Sequence, residues 1–207
     1  VNLATRVATI DLDAGENIIC TFTDTQQGTI TVIEDAIPNN AQNFRFESTT
    51  LSPTVFFLDD DADATISNTS VFSNMTPGSY TLTQTPAAGF ILTNLSCVDP
   101  DNGTTTNLTT RAVTFDVDAG ESITCTYSNT QTGSITIIED TNPNGPQNFA
   151  YSTTGGLVPI NFSLDDDLDA ALPNIRLYNN IIPGSYTVTQ NIPVGFTLTN
   201  LSCVDPD

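Results

Sequence analysis

Residues 77–84 read Pro-Gly-Ser-Tyr-Thr-Leu-Thr-Gln, and they lead through Gly89-Phe90 to Leu95-Ser96-Cys97-Val98-Asp99-Pro100-Asp101. The same run returns from Pro183, 106 positions after Pro77, and reaches Leu201-Ser202-Cys203-Val204-Asp205-Pro206-Asp207. Each copy predicts a Pro-Gly turn, a strand, a second turn, and a strand that ends near a cysteine. A period of this length is typical of a whole β-domain rather than of a short solenoid repeat.

The rest of the chain follows the same repeat. Residues 1–28 match residues 106–133, and residues 29–101 match residues 134–207 with one inserted residue. We interpret 1–28 as the last strands of a preceding repeat, 29–133 as a complete repeat, and 134–207 as the first three-quarters of a following repeat. Residues equivalent to 1–28 of the next copy would complete 134–207, either by covalent continuation or by strand donation. Such head-to-tail contacts propagate into a filament unless they close into a ring.

Apolar residues alternate with polar ones along most of each repeat, which indicates half-buried strands. Asp118-Ala119-Gly120-Glu121 is predicted to be a hairpin turn between two of them. In Phe90–Cys97 the apolar parity slips between Leu92 and Leu95, which predicts a β-bulge or a strand that changes sheets. About seven short strands per repeat of about 105 residues describe an all-β, immunoglobulin-like sandwich. The alternating apolar positions are Ile30 and Val32, then Val113, Phe115 and Val117, then Ile123, Cys125 and Tyr127.

The charge balance is strongly acidic. Twenty-four carboxylates face four arginines, there is no histidine, and the formal net charge is −20. This charge repels phosphate backbones and anionic lipid, so neither nucleic acid nor a membrane surface is an expected partner. No apolar run is long enough to predict membrane insertion. The acidity keeps a crowded extracellular array soluble, or it attracts cations.

The four cysteines have no metal-binding spacing, and their number and strand positions favour disulfides in an oxidising compartment. Cys125 shares the inward parity of Ile123 and Tyr127, and Cys97 ends the strand after the slip, so we predict a Cys97–Cys125 disulfide within the complete repeat. By the same register, Cys20 is predicted to pair with the equivalent of Cys203 in the preceding copy. The alternative is that the cysteines are reduced and buried.

Two acidic runs repeat the pattern Asp-Asp-Asp-x-Asp. Asp59, Asp61 and Asp63 alternate as calcium ligands do in the first half of an EF-hand loop, although the glycine and the bidentate glutamate of that loop are missing. The same positions in the second repeat are Asp165, Asp167 and Asp169. Extracellular Ca²⁺ would neutralise them, and solvated loops are the alternative. Asp99-Pro100-Asp101 is a weaker candidate that we interpret as a turn.

Catalysis and modification have less support. There is no histidine for acid–base chemistry and no nucleophile with a base beside it, so we do not expect an enzyme. No cofactor is expected to be required. Asn-x-Ser/Thr sequons are frequent, and Asn102 and Asn107, in the polar loop, are the predicted accessible glycosylation sites.

The block from Pro77 to Gln84 with Gly89-Phe90, the opening Ile30-Thr31-Val32-Ile33-Glu34-Asp35 and the closing Cys125-Thr126-Tyr127-Ser128-Asn129-Thr130 resemble Cna-B/SpaA-type modules. That family has a prealbumin-like β-sandwich and builds stalks and pilins of microbial surface proteins. Many members carry a Lys–Asn isopeptide bond assisted by an acidic residue. Asn129 matches the asparagine, but lysine is absent, and Gln84 and Gln190 stand where a glutamate usually lies. The resemblance therefore implies no isopeptide bond here, with disulfides as the replacement staple.

From these observations we expect an extracellular structural protein of the cell surface. Its repeats would form a filament, fibre or stalk, assembled head to tail with further copies of itself or as one continuous array. The alternative is an adhesin stalk or calcium-binding module that presents a separate binding tip.

Overall fold

The computed structural model describes residues 1–63, 65–167 and 171–205. Its described part contains fourteen β-strands and no helix. Nine strands lie in the first repeat: β1 (Gly28–Ile37), β2 (Asn40–Glu47), β3 (Val55–Asp60), β4 (Thr69–Met75), β5 (Gly78–Gln84), β6 (Phe90–Val98), β7 (Thr105–Asn107), β8 (Ala112–Val117) and β9 (Ser122–Gln131). Five lie in the second: β10 (Gly133–Ile138), β11 (Phe149–Thr154), β12 (Asn161–Leu164), β13 (Ile175–Ile181) and β14 (Thr187–Asn191).

The first repeat is a sandwich of two sheets. One sheet has the strand order β4-β1-β9-β6, and the other has the order β3-β2-β5-β8-β7. Its first and last long strands, β1 and β9, pair in parallel, so Ile30 lies beside Ile123 and Val32 beside Cys125. The remaining pairs in these sheets are antiparallel. The all-β sandwich expected from the alternation is confirmed, with nine strands in place of about seven because the short β7 and the strands flanking the acidic loop are separate elements.

The core lies between the two sheets because each strand presents alternate residues inward. Phe46 and Phe56 are stacked, and the Tyr127 ring packs edge-on against Phe46 with centroids 5.0 Å apart. Phe44 makes a similar edge contact with Phe90 from the opposite sheet. The inward residues predicted in β1, β8 and β9 are all buried, whereas of the predicted pair in β5 Leu82 is buried and Tyr80 is half-buried. The buried residues in β1, β8 and β9 are Ile30, Val32, Val113, Phe115, Val117, Ile123, Cys125 and Tyr127.

The predicted β-bulge is present in β6. The register between β6 and β9 shifts between Leu92 and Asn94. Because of this shift, Leu92 and Leu95 are both buried although they are three residues apart. The bulge thereby keeps the end of β6, with Cys97, directly opposite Cys125 on β9.

The second repeat contains only part of each sheet. β10 pairs with β13 as β1 pairs with β4, and β11 pairs with both β12 and β14 as β2 pairs with β3 and β5. Within the described residues, no strand of this repeat corresponds to β6, β7, β8 or β9. A smaller core forms around Phe149, Tyr151 and Leu164. The second repeat is therefore a half-sandwich with two open sheet edges.

Candidate assembly site

In the complete repeat, the closing strands β6 and β9 are held together by sheet pairing and by a disulfide. Cys97 on β6 and Cys125 on β9 form a disulfide, and they are register partners in the sheet. The strand β6 lies at the edge of its sheet, where β9 is its one neighbour. β9 is therefore needed to bring β6 into the sandwich, and the disulfide joins the two strands covalently.

The counterpart of β6 in the second repeat is residues 196–204, and these residues form no strand. Phe90, Leu92 and Leu95 are buried in β6. Their counterparts are exposed to solvent: Phe196, Leu198 and Leu201. The difference follows from topology, because the described part of the second repeat has no strand equivalent to β9 against which residues 196–204 could pair.

The counterparts of β8 and β9 stand at the opposite end of the chain, in residues 7–26. This segment also forms no strand, and it exposes apolar side chains to solvent. Phe22, for example, is 67% exposed, whereas its counterpart Tyr127 is completely buried. Several large apolar side chains exposed on one short segment indicate a candidate interaction site. The exposed residues whose counterparts are buried include Ile10, Leu12, Ile18 and Phe22.

Residues 1–27 nevertheless contain the two turns that they need to pair. The Asn2–Val7 bridge corresponds to the Asn107–Ala112 pair between β7 and β8, and Arg6 and Arg111 share a left-handed backbone with φ near 57° and 58°. Asp13 N–H donates to the Glu16 carboxylate at 3.1 Å, as Asp118 N–H donates to Glu121 at 2.8 Å. Turns that are formed in advance reduce the entropy lost when the strands pair.

Cys20 and Cys203 lie in these two unpaired segments. Both are exposed free thiols. By the repeat register, Cys20 is the counterpart of Cys125 and Cys203 is the counterpart of Cys97. Their pairing between adjacent copies stays a prediction.

A buried polar cluster lies at the centre of the complete repeat. Glu34 on β1 is fully buried, and its carboxylate accepts hydrogen bonds from Asn129 Nδ2 at 2.7 Å and from Gln84 Nε2 at 2.8 Å. Burial raises the pKa of Glu34 to about 8, and the charges of Asp35 and Asp60 add to this effect while the two amide donors oppose it. Among the described residues, the buried Tyr127 hydroxyl has no hydrogen-bond partner, and burial beside Glu34 raises its pKa.

The second repeat has a related cluster with different partners. Glu139, the counterpart of Glu34, is buried and accepts hydrogen bonds from the Tyr151 hydroxyl and from Gln190 Nε2, both at Oε2. Tyr151 is the counterpart of Phe46. Burial and the Glu139 hydrogen bond both raise the pKa of Tyr151. Sequence reasoning did not identify either cluster, although a glutamate at an inward-facing position of β1 was a usable signal.

The first acidic run begins with the last two residues of β3 and continues beyond it, around a cleft of about 380 Å³. Asp59 is only 3% exposed and lines this cleft. Its burial and the neighbouring charges of Asp61, Asp63 and Asp60 raise its pKa. Asp61 accepts the Asp63 N–H, and Asp63 accepts the N–H and hydroxyl of Thr65. Within the described residues, no hydrogen bond reaches the Asp59 carboxylate.

In the second acidic run, Asp165 is buried and Asp167 is half-buried. Asp169 lies outside the described residues. The predictions of calcium at Asp59, Asp61 and Asp63, and at Asp165, Asp167 and Asp169, stay predictions.

A different set of carboxylates is brought together by the fold. Oxygens of Asp99, Asp101 and Glu121 lie within 4.8 Å of one another. Asp99 accepts three backbone N–H groups of its own turn, at residues 101, 102 and 104. Hydrogen bonds of this kind hold the pKa of Asp99 below its usual range. The chain pattern indicated a turn at Asp99-Pro100-Asp101, whereas the approach of Glu121 depends on the β6–β9 register.

Asn102 and Asn107, the candidate glycosylation sites, are both exposed. Asn102 has a positive φ of 65° in the turn after β6. Asn107 ends β7, and its side-chain oxygen accepts the Thr110 N–H at 3.0 Å. Glycosylation at these residues stays a prediction.

The comparisons with known proteins concern the complete repeat. Residues 30–131 match the SpaA_4 family model, described as a prealbumin-like fold domain. No curated protein matches the chain significantly. The described residues contain no helix with the length and apolar character needed to cross a membrane.

Solved structures resemble the chain at low identity. The Bacillus anthracis TIE protein is 15% identical, with a TM-score of 0.38 over 85% of this chain and 30% of that chain. A Streptococcal ancillary pilin is 13% identical, with a TM-score of 0.35 over 86% of this chain and 57% of that chain. The major pilin of Streptococcus pyogenes is 15% identical, with a TM-score of 0.25 over 82% of this chain and 83% of that chain. The chain spans less than two thirds of the first two proteins.

Proposed function

We propose that the chain is a structural subunit of an extracellular cell-surface filament, fibre or stalk, on the basis of the match between its residues 30–131 and a family of prealbumin-like fold domains. Copies would assemble head to tail, with residues 1–27 of one copy completing the half-sandwich of residues 133–205 of another. The acceptor is either a separate chain or a further repeat of the same polypeptide. The role is mechanical, and neither catalysis nor a required cofactor is part of it.

The observation that carries this proposal is the match between the unpaired residues 7–26 and the open edges of β10 and β14. β10 has an open edge where β1 pairs with β9, and β14 has an open edge where β5 pairs with β8. Residues 7–26 are the sequence counterparts of β8 and β9, and they are unpaired and exposed. Addition of strands to open edges supplies backbone hydrogen bonds and buries the apolar faces of both partners.

A reversed aromatic pair supports this pairing. In the complete repeat, Phe46 on β2 packs edge-on against Tyr127 on β9. The counterparts of this pair are Tyr151 and Phe22, so the tyrosine and the phenylalanine have exchanged strands. Each combination keeps two rings and one hydroxyl. Pairing of residues 1–27 with the second repeat would therefore conserve the aromatic contact and place no second hydroxyl in the core.

Such an assembly would resist pulling in two ways. Ladder hydrogen bonds and the packed sandwich core would oppose extension of each repeat. A disulfide at each closing strand would limit how far a ruptured repeat could unravel. The net charge of −20 would keep the array soluble, and it disfavours nucleic acid and anionic membranes as partners.

Electrophoresis of boiled, non-reduced protein tests the assembly. We expect a ladder at multiples of the 22.0 kDa chain mass, which collapses to a single band after reduction. Cys20→Ser or Cys203→Ser should each abolish the ladder. Cys97→Ser is the matched control, because its disulfide lies within one repeat and its loss should leave the ladder in place.

We call the contact between residues 1–27 of one copy and residues 133–205 of another the joint. This proposed joint would be overturned by a single 22.0 kDa band under all conditions, if Cys20 and Cys203 still react as free thiols. The same band with both thiols consumed would mean that the chain closes on itself. Material from the natural source that stays very large after complete reduction would show that copies are joined by peptide bonds.

Calcium binding in the acidic loop is a second candidate function. It is favoured by Asp59, which is 3% exposed, lines the loop cleft and has no hydrogen bond within the described residues. Desolvation and the charges of Asp61, Asp63 and Asp60 raise the pKa of Asp59, and a cation bound at the cleft would offset this repulsion. Oxygen ligands of this type bind Ca²⁺, and extracellular modules bind it at millimolar concentrations.

Calorimetric titration with CaCl₂ tests this candidate. We expect saturable heat that Asp59→Asn reduces strongly. Asp116→Asn is the matched control, since Asp116 is an exposed carboxylate on β8, outside the loop. Absence of saturable heat in the unsubstituted protein would rule out the candidate.

A further inference from the structure

We infer that the joint between copies contains a proton-sharing carboxyl pair, formed by Asp24 of one copy and Glu139 of the next. Assembly would then take up a proton and weaken as the pH rises. This inference rests on the proposed head-to-tail assembly and specifies how it is regulated.

The complete repeat defines the geometry of the site. Glu34 Oε1 accepts a hydrogen bond from Asn129 Nδ2 at 2.7 Å, and Glu34 Oε2 accepts one from Gln84 Nε2 at 2.8 Å. Glu34 and Asn129 are both completely buried. Each oxygen of the carboxyl group therefore faces an amide donor, and burial still raises the pKa of Glu34 to about 8.

The second repeat supplies the acceptor but not the closing donor. The carboxylate of Glu139 is buried, and its hydrogen bonds from the Tyr151 hydroxyl and Gln190 Nε2 both go to Oε2. By the repeat register, Oε1 faces the position that Asn129 occupies in the complete repeat. The strand that would deliver this position is the counterpart of β9 in another copy.

The residue delivered there is an aspartate. Asp24 is the counterpart of Asn129, at the same offset that aligns Cys20 with Cys125. An ionised aspartate has no hydrogen to donate to Glu139. Two ionised carboxylates at hydrogen-bond distance in a buried site repel each other strongly, so the pair retains one proton between them.

Other charged and titratable groups surround this pair. Asp140 follows Glu139 just beyond the end of β10, and Asp166 accepts the Thr141 N–H nearby; both would disfavour a second negative charge. Arg176 on β13 lies across from Ile137, with its guanidinium over the Tyr178 ring, 5.2 Å from the centroid.

The incoming strand also carries Arg6, the counterpart of Arg111. Arg111 Nη1 lies 3.4 Å from Gln84 Oε1, which places an amide between the guanidinium and the buried acid. By the same register, Arg6 would contact Gln190 rather than the carboxyl pair. Tyr151, the remaining titratable neighbour, already donates its hydroxyl hydrogen to Glu139.

The sign of the pH dependence follows from linkage. Asp24 is exposed to solvent in the free chain, whereas in the joint it would be buried beside Glu139. In the joint the pair has a raised pKa and carries a proton. The affinity between copies is therefore highest below the pKa of the free carboxyls. It falls by up to about tenfold per pH unit as the pH rises from there through the pKa of the carboxyl pair.

Sedimentation of the full chain between pH 4.5 and pH 8 tests the inference, in a Cys20→Ser/Cys203→Ser background so that association is reversible. We expect the dissociation constant to rise by about tenfold per pH unit over part of this range. Asp24→Asn recreates the Asn129 donor and removes one of the two carboxyls, so it should tighten association at pH 8 at least tenfold, while Glu139 keeps a pH dependence like that of Glu34. Asp11→Asn removes one exposed charge from the same segment and should keep the slope.

The outcomes separate the inference from the proposed function. If Asp24→Asn associates no more tightly at pH 8 than the unsubstituted protein, the carboxyl pair is wrong while the assembly stands. If no variant associates at any pH, the assembly itself is wrong and the pair falls with it. A second variant, Asp24→Asn/Glu139→Gln, lacks both carboxyls and should abolish the slope; a slope that persists in it would also contradict the shared proton.

Discussion

Glu34 shows how a single buried acid is accommodated in a core of this kind. Two amide side chains, from Gln84 and Asn129, donate to its carboxylate. Burial nevertheless dominates, and the pKa rises from its ordinary value of 4.5 to about 8. A carboxyl group whose pKa is raised on folding favours the folded state at low pH and loses that contribution as the pH rises.

We therefore predict that the free energy of unfolding of the complete repeat decreases between pH 4.5 and pH 8. The Glu34 contribution is on the order of 4 kcal/mol at about 1.4 kcal/mol per pKa unit. Glu34→Gln should flatten this dependence and stabilise the repeat at pH 9 relative to the unsubstituted protein. Urea denaturation at pH 5 and pH 9 measures both effects.

Asp116→Asn is the control for this experiment, because Asp116 is exposed on β8 and its loss should leave the pH slope unchanged. If the free energy of unfolding depends on pH equally in Glu34→Gln and in the unsubstituted protein, the raised pKa of Glu34 does not govern that dependence.

The sequence predicted the burial of a residue where that burial follows from the pattern within one strand. Inward positions such as Phe115 and Ile123 followed from alternation within one strand. The Glu34 cluster did not, since its partners lie 50 and 95 residues away along the chain. The meeting of Asp99 with Glu121 likewise depends on a register between strands, which no local pattern contains.

At the scale of elements, β6 and β9 are the strands that close the sandwich. The parity slip in the sequence was enough to predict the bulge in β6, and the structure has it between Leu92 and Asn94. The parallel pairing of β1 with β9 was not predictable from alternation, because a period of two is the same for parallel and antiparallel neighbours. Because of this pairing, β1 depends on β9, the last strand of the repeat, for the backbone hydrogen bonds along one of its edges.

The disulfide between these elements should contribute measurably to stability. It spans 28 residues of sequence, and loop-closure entropy gives about 3–4 kcal/mol for a loop of this size. We predict that Cys97→Ser/Cys125→Ser lowers the free energy of unfolding of residues 28–131 by about this amount in urea. Cys20→Ser, which removes an exposed free thiol, should leave that transition unchanged; an equal loss in both variants would contradict the assignment.

In the whole molecule, the two repeats differ in how many of their apolar core residues are buried. The complete repeat closes its core with its own β8 and β9, whereas the second exposes the residues that such strands would cover. The repeat pattern in the sequence is the basis for dividing the chain into these parts, and that division stays a prediction. It could not predict which turns of residues 1–27 form before pairing, because that depends on side-chain hydrogen bonds such as Asp13 N–H to Glu16.

Two equivalent glycines allow folding and assembly to be separated. A Cβ at Gly28 would lie 2.6 Å from Val117 Cγ1 and 2.9 Å from the Glu121 carbonyl oxygen, whereas a Cβ at Gly133 would meet nothing within 4 Å. Overpacking of this kind costs about 1–3 kcal/mol. We predict that Gly28→Ala destabilises the free chain in urea and that Gly133→Ala changes its stability by less than about 0.5 kcal/mol.

In the assembled protein the contrast should disappear. The counterparts of Val117 and Glu121 are Leu12 and Glu16 of the incoming copy, so Gly133→Ala should weaken association by about tenfold or more. Gly145→Ala, at a glycine with no closer neighbour than 4.0 Å and outside the paired edges, is the matched control and should associate normally. Sedimentation of the three variants decides the matter: if Gly133→Ala associates as tightly as Gly145→Ala, residues 1–27 do not occupy the edge of β10.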